Sequence, residues 1–362
     1  MIDKIKNSKV IKNSGWLIGE RVFQMLLTLM VGSLTARYLG PSNYGIINYV
    51  SSFISIFAVF AALGIDSILI KGLVENPNDE GKYVGSALFL KLSSGILCLF
   101  ASNIFMFFYE RDSELIFIVN LMQSISLIFK CYEVFDYYFQ AHLSSKFSVI
   151  SKSIASIIVA IWKVYLLVSN SSVILFGLSV SIETTVTFLF LFLLYKYGKG
   201  PKLSIDFSIS KSLLKNGYHF IFASLMIILY SRMDKIMIGT FLSEKEVGLY
   251  SAANAISEMW LFIPLAIINS LQPIILNLKD KDNSLYLKKL KQMYFIVFYS
   301  SFIMCIFISI CSKLIIYILY GSAYLESQWI LIILIWSGIF AVLGSARGVW
   351  IVAENLNKYS KY

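Results

Sequence analysis

An all-α integral membrane protein is the fold class this sequence predicts, and three observations carry it. Hydrophobic residues make up 58% of the 362-residue chain and charged residues only 14%. Mean hydropathy is +0.75. Apolar stretches of spanning length recur along the whole chain. A soluble chain of this size cannot hide that much apolar surface, whereas a bilayer is itself a solvent for it.

A helix crosses the hydrocarbon core with about 20 apolar residues. Ten stretches qualify, in order Trp16–Leu39, Tyr44–Ile70, Tyr83–Tyr109, Leu115–Gln140, Phe147–Val168, Val173–Leu194, Leu213–Phe241, Val247–Leu276, Met293–Leu319 and Gln328–Val352. The first follows the basic, polar "MIDKIKNSKVIKNSG". It is too long for a signal-peptide core and no small-residue cleavage pattern follows, so it reads as an uncleaved helix. Cys98, Cys131, Cys305 and Cys311 all fall inside spans, which suggests neither a disulfide nor a zinc framework. His142 and His219 lack ligand spacing, so no metal or other cofactor is expected. In the eighth span, Pro264 and Pro273 each remove a backbone donor and predict kinks.

Basic residues set the orientation. With the N-terminus in the cytoplasm, inside segments hold 19 Lys/Arg and outside loops only Arg111 and Lys245. The net charge of +10 is then a topology signal facing anionic lipid, and nucleic acid is not an expected partner.

The longest interior connection, "KYGKGPKLSIDFSISKSLLKNG" from Lys196 to Gly217, carries five lysines, Gly and Pro. It divides residues 1–197, a six-helix lobe, from residues 213–362, a four-helix lobe, with 198–212 as a cytoplasmic linker. A repeat crosses this boundary. "YLGPSNYGIINYVSS" (Tyr38–Ser52) lies on "FLSEKEVGLYSAANA" (Phe241–Ala255) with Leu39 on Leu242 and Gly45 on Gly248. Six helices separate the copies, an even number, so they point the same way about an axis along the membrane normal.

Four stretches resemble one known family: "RYLGPSNYG" (Arg37–Gly45), "YYFQAHLSSKFSVISK" (Tyr137–Lys152), "SRMDKIMIGTFLSEKEVGLYSAA" (Ser231–Ala253) and "YGSAYLESQWIL" (Tyr320–Leu331). They are similar to the O-antigen flippases of the Wzx type, in the polysaccharide-transporter branch of the multidrug/oligosaccharidyl-lipid/polysaccharide exporter superfamily. The resemblance implies a two-lobed bundle of twelve or more helices, of which this chain lacks the last two. It also implies a non-enzymatic carrier of undecaprenyl-pyrophosphate-linked sugar repeat units at the bacterial inner membrane, working alongside other surface-polysaccharide assembly proteins.

Charges inside the spans are the candidate site. A charge at mid-bilayer costs roughly 2.5–3.5 kcal/mol on insertion scales. Arg37, Asp66, Lys152, Lys313 and Arg347 sit near helix ends and can snorkel. Lys130, Glu133, Glu183, Arg232, Asp234 and Glu258 lie deeper, and Arg21 is intermediate. Deep charges face other helices or a water-filled cavity. Arg21, Lys130 and Arg232 are the candidate cations for an anionic head group, because Lys and Arg neutralise phosphate and Arg does so bidentately. Tyr132, Tyr137 and Tyr138 offer faces for sugar rings. The alternative is internal pairing: Lys130 with Glu133 at i,i+3, and Arg232 or Lys235 with Asp234 or Glu258. Glu183 and Glu258 are candidates for a coupling ion, since a poorly hydrated carboxyl can take up a proton near neutral pH.

Two other function classes stay in view. A membrane-embedded polymerase or ligase needs a sizeable outer loop, and "GPSN", "ERDSE" and "SEKE" are all short. An antiporter for small organic cations wants a deep cluster dominated by acids, and the set here is mixed. "KDKDN" (Lys279–Asn283) contains the Asp-x-Asp of nucleotide-sugar enzymes but reads as a solvated loop.

Overall fold

The computed structural model describes residues 9–110, 113–279, 281–354 and 356. Among them there are helices and turns and no strands. In lipid no water pairs with the backbone, so a helix, which satisfies its own N–H and C=O groups, is the natural answer to so apolar a chain.

Helix α1, Lys9–Ala62, carries the first two expected spans in one element that reverses at Gly40 (φ 71°, ψ 170°). Only glycine adopts that backbone cheaply, and Pro41 follows with its φ already suited to the first turn of the second arm. The second arm ends at Ala62, where Leu63 and Gly64 both have positive φ. The expected run Tyr44–Ile70 is therefore not one helix: its last residues start a short separate helix, α2, Asp66–Glu75. Helix α3 spans Glu80–Tyr109.

The expected fourth span, Leu115–Gln140, is also broken. Helix α4, Glu114–Ser124, gives way to a single turn at Ser126–Phe129 and a 3-10 turn at Lys130–Tyr132, and α5 then runs Glu133–Ala141. No Gly or Pro announces this break. Helices α6, Lys146–Val168, and α7, Val173–Tyr197, follow as expected. After the 198–206 loop, α8 spans Phe207–Phe241 and is capped by Asp206, whose carboxylate accepts from the Ser208 and Ile209 N–H groups. The eighth expected span is α9, Glu244–Met259, and α10, Phe262–Lys279, separated just before Pro264. Pro273 lies inside α10. Helices α11, Asn283–Tyr320, and α12, Ser327–Ala353, complete the set. Asp282 caps α11 by accepting from Ser284 and Leu285 N–H, which is what the second aspartate of "KDKDN" does.

Among the described residues, eight helical stretches are long and apolar enough to cross a membrane. One of them, Gly15–Glu75, holds both arms of α1, and the charged helix α8 is not among the eight.

Two compact units divide the chain at Gly248 and Leu249. In the first, α1, α3, α4 and α9 bury Tyr49, Val50, Phe53, Met106, Val119 and Val247 together. A second core gathers α2, α3, α5, α7 and α8 around Leu69, Val84, Phe135 and Leu191. Tyr195 OH donates to Pro201 O at 2.6 Å and fixes the 198–206 loop. In the second unit, α11 buries Tyr286, Leu290, Met293, Val297, Ser301, Cys305, Ile308, Ser312 and Ile316. That alternation of threes and fours is the seam of two helices crossing at a shallow angle, and α12 answers with Leu331, Ile335, Val342, Ala346 and Val349. Outward residues such as Phe107, Ile303, Ile310 and Phe340 are exposed apolar groups for which acyl chains are the matching solvent.

Candidate functional site

The first unit has two ends. At one, which we call the near end, α1 begins, α3 starts against the 200–204 backbone and Gly64 meets Gly217. At the far end, Tyr49 OH donates to Glu110 Oε1 at 2.7 Å and Tyr109 OH bonds Thr240 Oγ1 at 3.2 Å. The polar interior differs between them. Towards the far end, between α1, α3 and α4, it is neutral: Asn120 donates to Asn103, Asn103 to Ser124, and Ser51 to Gln123. The near half is ionic.

Lys91 of α3 is the centre of that ionic half and is only 2% exposed. Its ammonium lies 2.9 Å from Asp66 Oδ1 and 2.7 Å from Glu133 Oε2, and 5.1 Å above the Tyr137 ring. Two breaks in helices make this possible. The Leu63–Gly64 turn presents Asp66 as the first residue of α2, and the irregular stretch before Glu133 presents that acid as the first residue of α5. One turn further along α5, Asp136 pairs with Lys152 of α6 at 2.7 Å. Glu20 of α1 is buried, accepts from Gln24 at 3.1 Å and feels the charges of Lys152 and Asp136. Deeper in, Ser156 donates to Glu183 at 2.9 Å, and Lys163 lies within its electrostatic reach.

The direct partner of Glu133 is Lys91, while Lys130, its i,i+3 neighbour, acts on it only at longer range. The fully enclosed Lys91 needs a counter-charge more urgently than a half-buried lysine does. Lys130 feels the charge of Glu133 but makes no ion pair or hydrogen bond from its side chain among the described residues. Two charges read as snorkelling helix-end groups, Asp66 and Lys152, are instead partners in interior pairs. Lys91, in the middle of "ALFLKLSSG", is the residue that sequence reasoning underrated. A lone lysine in so apolar a run demands an acid from elsewhere in the fold.

The other expected site residues are spread more widely. Arg21 is exposed, one residue and so about 100° around the helix from buried Glu20. Arg232 and Asp234 are half-buried on α8 beside the buried Lys235, whose backbone N–H donates to Asp234 Oδ1 at 2.7 Å. Glu258 is exposed on α9, in the second unit, and accepts from Asn254 at 2.9 Å. At the near end a groove of about 440 Å³ lies between α1 and α6, with Gly15, Trp16, Gly19, Glu20 and Phe23 on one side and Val149 and Ser153 on the other. No group of three or more metal-ligating side chains exists among the described residues.

Long, mostly apolar helices around an ionic interior are the mark of a membrane transporter, and the fold is of that class. The solved structures it resembles include the lipid II flippase MurJ in an inward closed conformation, with TM-score 0.66 and 17% identity over 92% of this chain and 76% of that one. An inward-facing multidrug resistance MATE family transporter of the MOP superfamily gives TM-score 0.65 and 15% identity over 91% and 83%. A MOP superfamily transporter from Pyrococcus furiosus gives 0.62 and 15% over 95% and 84%. At such identities the likeness shows the fold. Residues 10–279 match the family model described as polysaccharide biosynthesis protein, and the chain belongs to that family. No curated protein matches the chain.

Proposed function

We propose that this protein is a flippase. It carries undecaprenyl-pyrophosphate-linked oligosaccharide repeat units across the bacterial inner membrane by alternating access, for O-antigen or another surface polysaccharide, with its N-terminus in the cytoplasm. The family match and the MurJ-like fold support the class. The observation that carries the substrate is Lys130. Lys91 occupies Glu133, so Lys130 is left as a half-buried cation without an ion-pair partner of its own among the described residues. A half-buried cation held only by longer-range attraction to Glu133 can still take a ligand anion, and a pyrophosphate supplies one. The glycan passes through the interior because its hydroxyls cannot cross hydrocarbon unpaired. The polyprenyl tail stays in lipid.

Arg232 and the exposed Arg21 are the further head-group cations in this reading, and Glu183 and Glu258 the coupling carboxylates. The test is flipping of a fluorescent undecaprenyl-pyrophosphate saccharide in proteoliposomes by Lys130→Ala, Lys130→Arg and Arg232→Ala. Lys130→Ala is expected to slow flipping by tenfold or more, and Lys130→Arg to recover most of it. Parent-like flipping by both alanine variants at equal protein would sink the head-group role. The MATE-like fold keeps an organic-cation antiporter as the second reading. Extrusion of ethidium, unaffected by Lys130→Ala and lost in Glu183→Gln, would favour it.

A further inference from the structure

The groove between α1 and α6 at the near end joins two chemistries. On α1, Trp16, Gly19, Phe23, Leu26 and Met30 recur every three or four residues and so share one face, and all five are exposed. On α6, Ser153, Ile157 and Ile161 also share a face, and the two isoleucines are exposed. Trp16, Gly19, Phe23 and Ser153 line the groove, and the deeper residues of both stripes run on from it along the two helices. Gly15 and Gly19 leave the α1 backbone bare, since a methyl group on either would meet nothing within 4 Å. Glu20 is the acid in this lining. It is 8% exposed, and its hydrogen bond among the described residues comes from Gln24 of its own helix. Lys152 attracts it, but that ammonium is already paired with Asp136 at 2.7 Å, so two acids share one cation. An enclosed carboxylate short of a counter-charge is completed by a ligand cation.

From this juxtaposition we propose that the groove holds a bilayer phospholipid with a free ammonium head group, its ammonium on Glu20 and its acyl chains along the two apolar stripes. The charge of Glu20 selects the head group. A primary ammonium brings a positive charge and three N–H donors, whereas a choline brings the charge without a donor and a glycerol head brings neither. The rings of Trp16 and Phe23 favour a cation beside them, and an indole near the start of a span suits the head-group level. Lys146 lies on the face of α6 that carries Val149 and Ser153, one turn nearer the start of the helix, and is exposed. It offers the lipid phosphate a counter-charge. The apolar stripes argue against a sugar, whose hydroxyls need polar partners on every side. The inference does not depend on what the protein transports.

Native mass spectrometry of the delipidated full chain tests it, with phosphatidylethanolamine, phosphatidylglycerol and phosphatidylcholine of identical chains as the probes. One phosphatidylethanolamine is expected to stay bound under activation that strips the other two lipids. Glu20→Gln should weaken that binding about tenfold, the worth of one hydrogen bond between charged groups. Glu20→Asp should keep part of it. Gly19→Leu fills the groove from a position with room for a side chain, and should abolish the binding with Glu20 intact. A brominated-chain phosphatidylethanolamine should quench the indole fluorescence of the parent more than that of Trp16→Phe. Equal retention of the three lipids by the parent would overturn the site. So would retention of phosphatidylethanolamine by Glu20→Gln and Gly19→Leu at the parent level. Displacement of the bound lipid by a methyl glucosaminide, but not by a methyl glucoside, would give the groove to an amino sugar and overturn the lipid assignment.

Discussion

Replacing Lys91 by Met removes the cation that pairs directly with two acids. Glu133 is only 17% exposed, and its carboxylate would lose a 2.7 Å partner while staying in the interior. Asp66, at 40% exposure, can turn towards water, so its share is smaller. Breaking a buried pair by removing one partner costs about 3–5 kcal/mol, because the surviving charge is left uncompensated. Met nearly matches the lysine stem in volume, which keeps the cavity term small. For a unit of this size each kcal/mol moves the midpoint by about 2–4 °C, so Lys91→Met should lower it by about 10 °C. The assay is thermal unfolding in mild detergent, followed by fluorescence. The double variant Lys91→Met/Glu133→Gln removes the orphaned charge and should regain about half of the loss. Lys82→Met, which breaks an exposed pair with Asp79, is the control and should be nearly silent. A Lys91→Met midpoint no lower than that control would refute the reasoning. A double variant no better than the single one would show that Glu133 is not the stranded group.

Two further outcomes are expected. A cysteine at Lys245 should react with an impermeant maleimide from outside the cell and one at Lys202 should not, and labelling of position 202 from outside would overturn the proposed topology. Hydrogen bonds from the Ser208 hydroxyl and backbone hold the Asp206 carboxyl below its usual range, those from the Leu285 N–H and Ser284 do so for Asp282, and bonding by Lys279 does so for Glu354. A carboxyl lowered on folding adds stability that is present above its unfolded pKa and lost as pH falls through the folded value. Midpoints measured from pH 6 to pH 3 should therefore fall for the parent and fall less for Asp282→Asn, and parallel curves would argue against the cap.

Much of the fold was legible because span length and the positions of Gly and Pro follow directly from bilayer physics. Gly40–Pro41 marks the first reversal and Pro264 the break in the eighth stretch, whereas the expected second span ran through Gly64, where the structure ends the arm. The break between Ser124 and Glu133 was not legible, since "IFKCYEV" contains no breaker, and only tertiary packing selects tight turns there. The ionic core failed for the same reason. Neighbours in sequence suggested Lys130 for Glu133, but the partners of Lys91 lie 25 and 42 residues away, and no local pattern encodes those distances. The repeat, supported in sequence by only two identities, proved informative because both of its glycines are needed where two backbones meet.

The charges of α8 bear on how the protein is made. This helix carries Lys211, Lys215, Arg232, Asp234 and Lys235 and is not among the stretches apolar enough to cross a membrane by composition. Yet it lies along the second arm of α1, from Gly217 near its start to Gly239 near its end. A segment that partitions poorly by itself enters the bilayer when a partner already there covers its polar face. During synthesis α1 emerges well before α8. The order of the chain thus supplies α8 with a docking surface by the time it leaves the ribosome, and a lesion in the Tyr49 or Gly64 region would be felt first as failed insertion of a helix more than a hundred residues downstream.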